Sequence, residues 1–234
     1  MHIDNRFTAL LPMKANSQRV PGKNFRLLHG RPLYRWMLDT LLSIQEVDRV
    51  IINTDANQLL DDPALTRDER VLLRQRAPSL RGDTVSMNKI LADDVAHAEG
   101  EYFLMTHSTN PFLQAATLRR AMGEFMSGLV SGQCDSLFSV NRFQARFYRD
   151  DATPINHNPK ELVQTQDLET WYEENSCLYL FSRESFLGTS ARIGQKPMMF
   201  ETPREQSLDI DTPEDWGLAE ILAPVMTGCK VSLG

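Results

Sequence analysis

The sequence predicts a single α/β domain built on a mostly parallel, doubly wound sheet. Short apolar runs alternate along the chain with longer stretches whose apolar residues recur at helical spacing. Two of the apolar runs break into polar, turn-forming loops, as strands of such a sheet do at the rim where ligands bind. The length of 234 residues suits one large domain, or one domain with a small lobe.

The elements follow in order. Phe7–Leu11 is a buried strand ended by Pro12. Pro32 opens a helix through Ile44, where Leu33, Trp36, Met37, Leu41 and Ile44 share one face. Val50–Asn53 is a second strand and Val71–Arg74 a third. Thr84–His97 reads as a helix, and Tyr102–Met105 as a strand that ends in the turn Thr106–Phe112. Thr117–Val130 is the next helix and Ser136–Val140 the next strand. Cys177–Phe181, Pro197–Phe200 and Leu208–Ile210 are further strands, and Pro213–Met226 is the last helix. Between about 142 and 172 the pattern breaks into an aromatic, charged, turn-rich insert. Phe143, Phe147, Tyr148, Trp171 and Tyr172 there require cover, from a second copy of the chain or as a lid over substrate.

Composition excludes several classes. Hydrophobic content of 41% and charged content of 24% are ordinary for a globular protein. A net charge of -6 gives no global basic surface for nucleic acid. No stretch has the roughly 18 apolar residues of a membrane span. Cys134, Cys177 and Cys229 form neither a CxxC nor a zinc pattern, so they are expected as reduced thiols in a cytoplasmic protein.

Two segments carry the chemistry. Leu10–Asn24 (LLPMKANSQRVPGKN) leaves a strand and gathers Lys14, Arg19 and Lys23, with Asn16, Ser17 and Gln18 between. Pro21 fixes one dihedral, and Gly22 permits close backbone approach. Such a loop suits a triphosphate, although it lacks the Walker A spacing. Asp209 and Asp211 stand two apart in an extended segment, so their carboxylates face one side and suit a hard cation. Asp211–Glu214 also reads as a helix start, with Thr212 or Asp211 as the cap.

Taken together, these motifs resemble the acylneuraminate cytidylyltransferases and the related 3-deoxy-manno-octulosonate (KDO) cytidylyltransferases. KANSQRVPGKN is similar to their signature loop through Lys14, Ser17, Arg19, Pro21 and Lys23, with Lys14 where the family usually has Arg. Asp209 and Asp211 match the family's Asp-Ile-Asp-Thr-Pro-Glu-Asp segment. Arg76 and Arg81–Thr84 resemble the segment that reads cytosine. His107–Phe112 falls where the family has Gln-Pro-Thr-Ser-Pro-Leu, so His107 replaces a glutamine. Glu174–Ser176 before CLYLF resembles the family's Asn-Gly, with Asn175 and Tyr179 matching and Ser176 replacing glycine.

The resemblance implies a three-layer nucleotide-diphosphosugar-transferase fold over residues 1–234, with a dimerisation insert. It implies CTP and an acidic sugar as partners, Mg²⁺ (or Mn²⁺) as cofactor, and a homodimer. Lys14, Arg19, Lys23 and Asp211 would be catalytic. Ser17, Asn24, Arg76 and Asp83 would bind the nucleotide, Asp83 also being a candidate helix cap. His107, Asn175, Tyr179 and Arg146 would bind the sugar, and Asp209 and Asp211 the metal. Two rival readings are another sugar nucleotidyltransferase on this fold and a non-catalytic nucleotide-binding protein.

Overall fold

The computed structural model describes residues 5–161 and 163–228. A seven-stranded sheet forms the centre, in the order β5-β4-β1-β6-β8-β7-β9. Its strands are β1 (Phe7–Leu10), β4 (Val47–Thr54), β5 (Val71–Gln75), β6 (Tyr102–Thr106), β7 (Ser136–Phe143), β8 (Trp171–Ser182) and β9 (Pro197–Glu201). A small ribbon, β2 (Leu27–Leu28) with β3 (Arg31–Pro32), follows the first loop. The helices are α1 (Leu33–Leu42), α2 (Asn57–Leu60), α3 (Pro63–Thr66), α4 (Met87–His97), α5 (Ala115–Val130), α6 (Arg183–Thr189) and α7 (Pro213–Met226). In the seven-stranded sheet β8 runs antiparallel to both β6 and β7, while the other pairings are parallel; the β2–β3 ribbon is antiparallel.

Both faces of the sheet are covered, and the sequence shows it residue by residue. Ala9, Val50, Ile52, Leu104, Leu178 and Leu180 belong to a core cluster shared with α1 and α5. Their neighbours Leu10, Ile51, Phe103, Met105, Tyr179 and Phe181 belong to a second cluster with Leu91 and Val95 of α4 and Phe186 of α6. Side chains alternate across a strand, so each continuous apolar run fills two layers at once. A third cluster, with Leu28, Trp36, Phe112, Ile210 and Trp216, anchors α7 beside the ribbon.

Several expected boundaries move. The helix expected from Thr84 begins at Met87, with Ser86 in extended conformation at its N-cap. Leu208–Ile210 is not a strand. Its backbone bonds instead to the turn after β6, with Ile210 N donating to Thr109 O and Asn110 Nδ2 to Leu208 O. Residues 144–170 form the insert between β7 and β8. Within it Phe147 stacks on Trp171 at 5.2 Å and packs edge-on to Phe143, so these three largely cover one another. Tyr148 and Tyr172 remain exposed. Cys134 and Cys177 are free and buried, whereas Cys229 lies outside the described residues. No helix among the described residues is long and apolar enough to cross a membrane.

A buried polar chain ties three elements to the root of the first loop. Asp94 of α4, wholly buried, accepts from Asn53 Nδ2 at 2.7 Å and from Arg74 Nη1 at 2.8 Å. Asn53 Oδ1 accepts from Arg76 Nε, and Arg76 Nη2 donates to Asn53 O and Met13 O. Burial pushes the Asp94 carboxyl up to about 6, against the pull of Asn53 and Arg74. Its folded pKa exceeds the unfolded value, so the native state gains from the protonated form at low pH. That gain is lost as pH rises from about 4 to about 6. Asp94→Asn removes the titration. Urea denaturation should therefore show the variant gaining on the wild type across this interval, by about 3 kcal/mol, and no further above it. Parallel pH profiles for the two proteins would contradict the assignment.

Candidate active site

The loop after β1 and the turn after β6 meet where the strand order reverses, because β1 pairs with β4 on one side and β6 on the other. In open α/β sheets ligands bind in the crevice at such a point. A cleft of about 560 Å³ lies there. Lys14, Ser17, Arg19, Lys23, Asn24, Asp83, His107, Asp209 and Asp211 all line it.

The loop owes its shape to local chemistry. Gly22 sits in the left-handed region at φ 63, and a short 3-10 turn over Lys23–Phe25 follows. Asn24 Nδ2 donates to Lys14 O at 2.9 Å, and its Oδ1 accepts from Ser108 Oγ at 2.7 Å. Asn24 thus staples the loop closed and joins it to the β6 turn. Lys14 donates to Asp83 Oδ1 at 2.9 Å, and Gln18 bonds the other carboxylate oxygen. Lys14 holds the Asp83 carboxyl below the usual range. Asp83 therefore straps the rim of the cleft and is no helix cap.

The two ends of the sequence meet across the cleft. Lys23, nearly buried, donates to Ile210 O and to Asp211 Oδ1 at 3.1 Å. Arg19 Nη2 donates to Asp211 Oδ2 at 3.0 Å. Helix α7 needs neither aspartate as its cap. Thr212 caps it, with its hydroxyl accepting from Asp215 N and Asp215 Oδ2 accepting from Thr212 N. Asp209 and Asp211 are left free to face the cleft. Asp209 Oδ1 is buried without a hydrogen-bond partner, and burial raises the carboxyl's pKa. Two convergent carboxylates, one with an orphaned oxygen, fit a hard divalent cation that takes its other oxygens from substrate and water. Among the described residues no group of three or more metal-ligating side chains adds to them.

His107 is held neutral. Burial first, then the charges of Arg192 and Lys23, push it down to about 4, against the opposing pull of Asp211. It therefore offers one donor and one acceptor nitrogen at ordinary pH.

Four expected contacts are not made at the cleft wall. Arg76 is 1% exposed and turned beneath the loop, its Nε and Nη2 committed to Asn53 and Met13. It props the loop root and is not among the residues that line the cleft. Asn175 is buried in a polar knot, donating to Asn141 Oδ1 and Thr202 Oγ1 and accepting from Ser139 Oγ. Tyr179 is wholly buried, its hydroxyl bonded to Glu174 and to Ser176 Oγ; burial and Glu174 push it up to about 12. Arg146 lies in the insert and donates to Val163 O.

A cytidylyltransferase family model matches residues 8–223. The chain belongs to the cytidylyltransferase family. Its relatives include the CMP-N,N'-diacetyllegionaminic acid synthase of Legionella pneumophila, 27% identical over 93% of this chain and 96% of that one. The pseudaminic acid cytidylyltransferase of Campylobacter jejuni is 22% identical over 92% of this chain and 95% of its own. The N-acylneuraminate cytidylyltransferases of Streptococcus agalactiae and Danio rerio also match, though the chain spans about half their length, 51% and 50%. Among solved structures, a 4-diphosphocytidyl-2C-methyl-D-erythritol synthase from Anaerococcus prevotii superposes with a TM-score of 0.65 at 14% identity. It covers 94% of this chain and 97% of its own. A CMP:2-keto-3-deoxy-manno-octonic acid synthetase complexed with CTP gives 0.64 at 13%, covering 94% and 99%. At these identities the likeness is one of fold.

Arg192 of this cytidylyltransferase cleft escapes a reading of the sequence, and Ser176 shows there only as a replacement for glycine. Arg192 lines it from the loop after α6, a short helix that the apolar pattern does not reveal. Ser176 lines it from within β8, where the register against β7 shifts, in the left-handed conformation at φ 59. The glycine expected by resemblance at this position is the signal for that irregularity. The buried supports are testable apart from catalysis. Arg76→Ala takes the guanidinium donor from the Met13 carbonyl and from Asn53 Oδ1 and should cost about 3 kcal/mol in urea denaturation. Asn175→Ala opens the polar knot and should cost about 2 kcal/mol. Unchanged stability in either variant would make that residue a ligand contact instead.

Proposed function

We propose that the chain transfers CMP from CTP to a 2-keto-3-deoxy sugar acid, giving the CMP-sugar and pyrophosphate. What carries this reading is the joining of the cationic loop to the carboxylate pair through Lys23, Arg19 and Asp211 in one cleft. Triphosphate and metal sites must be neighbours in nucleotidyl transfer, and here their residues already touch. The acceptor's anomeric hydroxyl attacks the α-phosphorus in line, its proton is taken up by solvent in the open cleft, and the bond to pyrophosphate breaks. Lys14, Arg19 and Lys23 hold the phosphates and neutralise the charge that grows on the leaving group. Ser17 and Asn24 border the nucleotide, and the neutral His107 accepts from or donates to the sugar. Asp209 and Asp211 would hold Mg²⁺, which would supply Lewis-acid chemistry at the phosphates.

The insert is the surface we assign to a second copy of the chain. It leaves Tyr148, Ile155, Val163 and Tyr172 exposed. Analytical ultracentrifugation should find a dimer, and Tyr148→Glu with Ile155→Glu should shift it to monomer.

Pyrophosphate release tests the reaction, with Mg²⁺ and CTP against N-acetylneuraminate, legionaminate, pseudaminate and KDO. UTP and a phosphorylated sugar serve as controls. The expected outcome is release that requires CTP and one of the acids. Binding of CTP with no release for any acid would favour a nucleotide-binding protein, and release with UTP another transferase. Asp211→Ala should lose several kcal/mol of transition-state stabilisation, the scale of a lost metal interaction. Lys23→Ala should raise the KM for CTP more than the KM for the sugar, and the opposite split would mean that the loop is misassigned.

A further inference from the structure

Four cations line the cleft, and three of them are already engaged. Lys14 bonds Asp83, Arg19 bonds Asp211, and Lys23 bonds Asp211 and the Ile210 carbonyl. Arg192 differs. Its guanidinium lies 3.7 Å from the centroid of the Tyr179 ring. Its polar contacts are long: 3.5 Å from Nη2 to Glu174 and 3.9 Å from Nη1 to the Met105 sulfur. The side chain is only 20% exposed. A guanidinium carries five donors in a rigid fork, and one so shielded without a good acceptor is set up to take an anion.

Its position says which anion. The triphosphate loop leaves β1, His107 follows β6, and Arg192 lies over Tyr179 of β8. Strands are about 4.8 Å apart, so β1 and β8 are separated by roughly 10 Å at the sheet. Arg192 therefore sits on the far side of His107's strand from the loop that holds phosphates. The support is rigid: Tyr179 is pinned through its hydroxyl by Glu174 and Ser176, and Arg192 N donates to Asn88 Oδ1 of α4 at 3.3 Å.

We infer that Arg192 binds the carboxylate of the acceptor and so selects acid sugars over neutral ones. This rests on reading the cleft as a CTP:acid-sugar transferase. Stacking on Tyr179 presents one edge of the fork to the cleft, and a carboxylate there completes the bonds that Glu174 and Met105 leave long. The contact is made with the acceptor alone, so CTP binding does not depend on it.

The experiment compares wild type, Arg192→Met and Arg192→Lys by pyrophosphate release. The acceptor is whichever of N-acetylneuraminate, legionaminate, pseudaminate and KDO the wild type turns over best, together with the C1 amide of that same sugar. Arg192→Met should raise the acceptor KM roughly 10- to 100-fold, the scale of a lost charge-assisted bond, with the CTP KM within about twofold. It should also erase the wild type's preference for the acid over the amide, and Arg192→Lys should restore part of both. An unchanged acceptor KM, or a preserved acid preference in Arg192→Met, overturns this inference and leaves the transferase reading standing. No CTP-dependent release by the wild type with any of the four acids overturns both. A thermal melt of each variant separates lost binding from lost folding, and a fall in stability with an unchanged acid preference counts against the inference.

Discussion

The ammonium of Lys23 holds the cleft together. It comes from a loop near the start of the chain and closes on residues 187 and 188 positions later, the Ile210 carbonyl and the Asp211 carboxylate. A nearly buried charge is tolerated only when it is paired and hydrogen-bonded. Both conditions are met here by one short extended segment. That segment has no place in the sheet and depends on the loop and on the β6 turn for its backbone partners. The position of both aspartates follows from this arrangement, and so does the entry angle of α7. The capping box of Thr212 and Asp215 then secures the segment from the other side.

Charge is distributed along the cleft in an order set by the sheet. At the β1 end, cations and carboxylates are interleaved and largely neutralise one another. In the middle, His107 carries no charge at ordinary pH because burial and two neighbouring cations oppose its protonation. At the β8 end, Arg192 makes only long polar contacts, to Glu174 and Met105. The gradient comes from which strand precedes each loop, so the fold places the groups and the local sequence supplies their chemistry.

What the sequence made legible was local. The strands β1, β4, β6 and β8 and the helix α7 are visible as apolar runs and as a Thr-Pro-Glu-Asp start, because their signals lie within a few residues. The Lys14–Lys23 loop and the Asp209–Asp211 pair are legible for the same reason. Arg76, Asn175 and Tyr179 show the limit. Their residue types suit ligand contacts, yet each side chain is engaged by partners that only tertiary folding brings near, Met13 for Arg76 and Thr202 for Asn175. Leu208–Ile210 has the composition of a strand but lacks a neighbouring edge to pair with. Arg192 had no local signal, since its importance comes from Tyr179 on a different element.

Ser176 gives the β8 side of the cleft a cost of its own. An L-residue in the left-handed region is disfavoured by about 1 kcal/mol or more, a penalty glycine escapes. A glycine would relax the backbone but delete the hydroxyl that bonds Tyr179, and with it part of the support under Arg192. The chain thus keeps a locally disfavoured backbone together with a hydroxyl bond that glycine could not make, so ease of the main chain and rigidity of the Tyr179 support oppose each other at this single position.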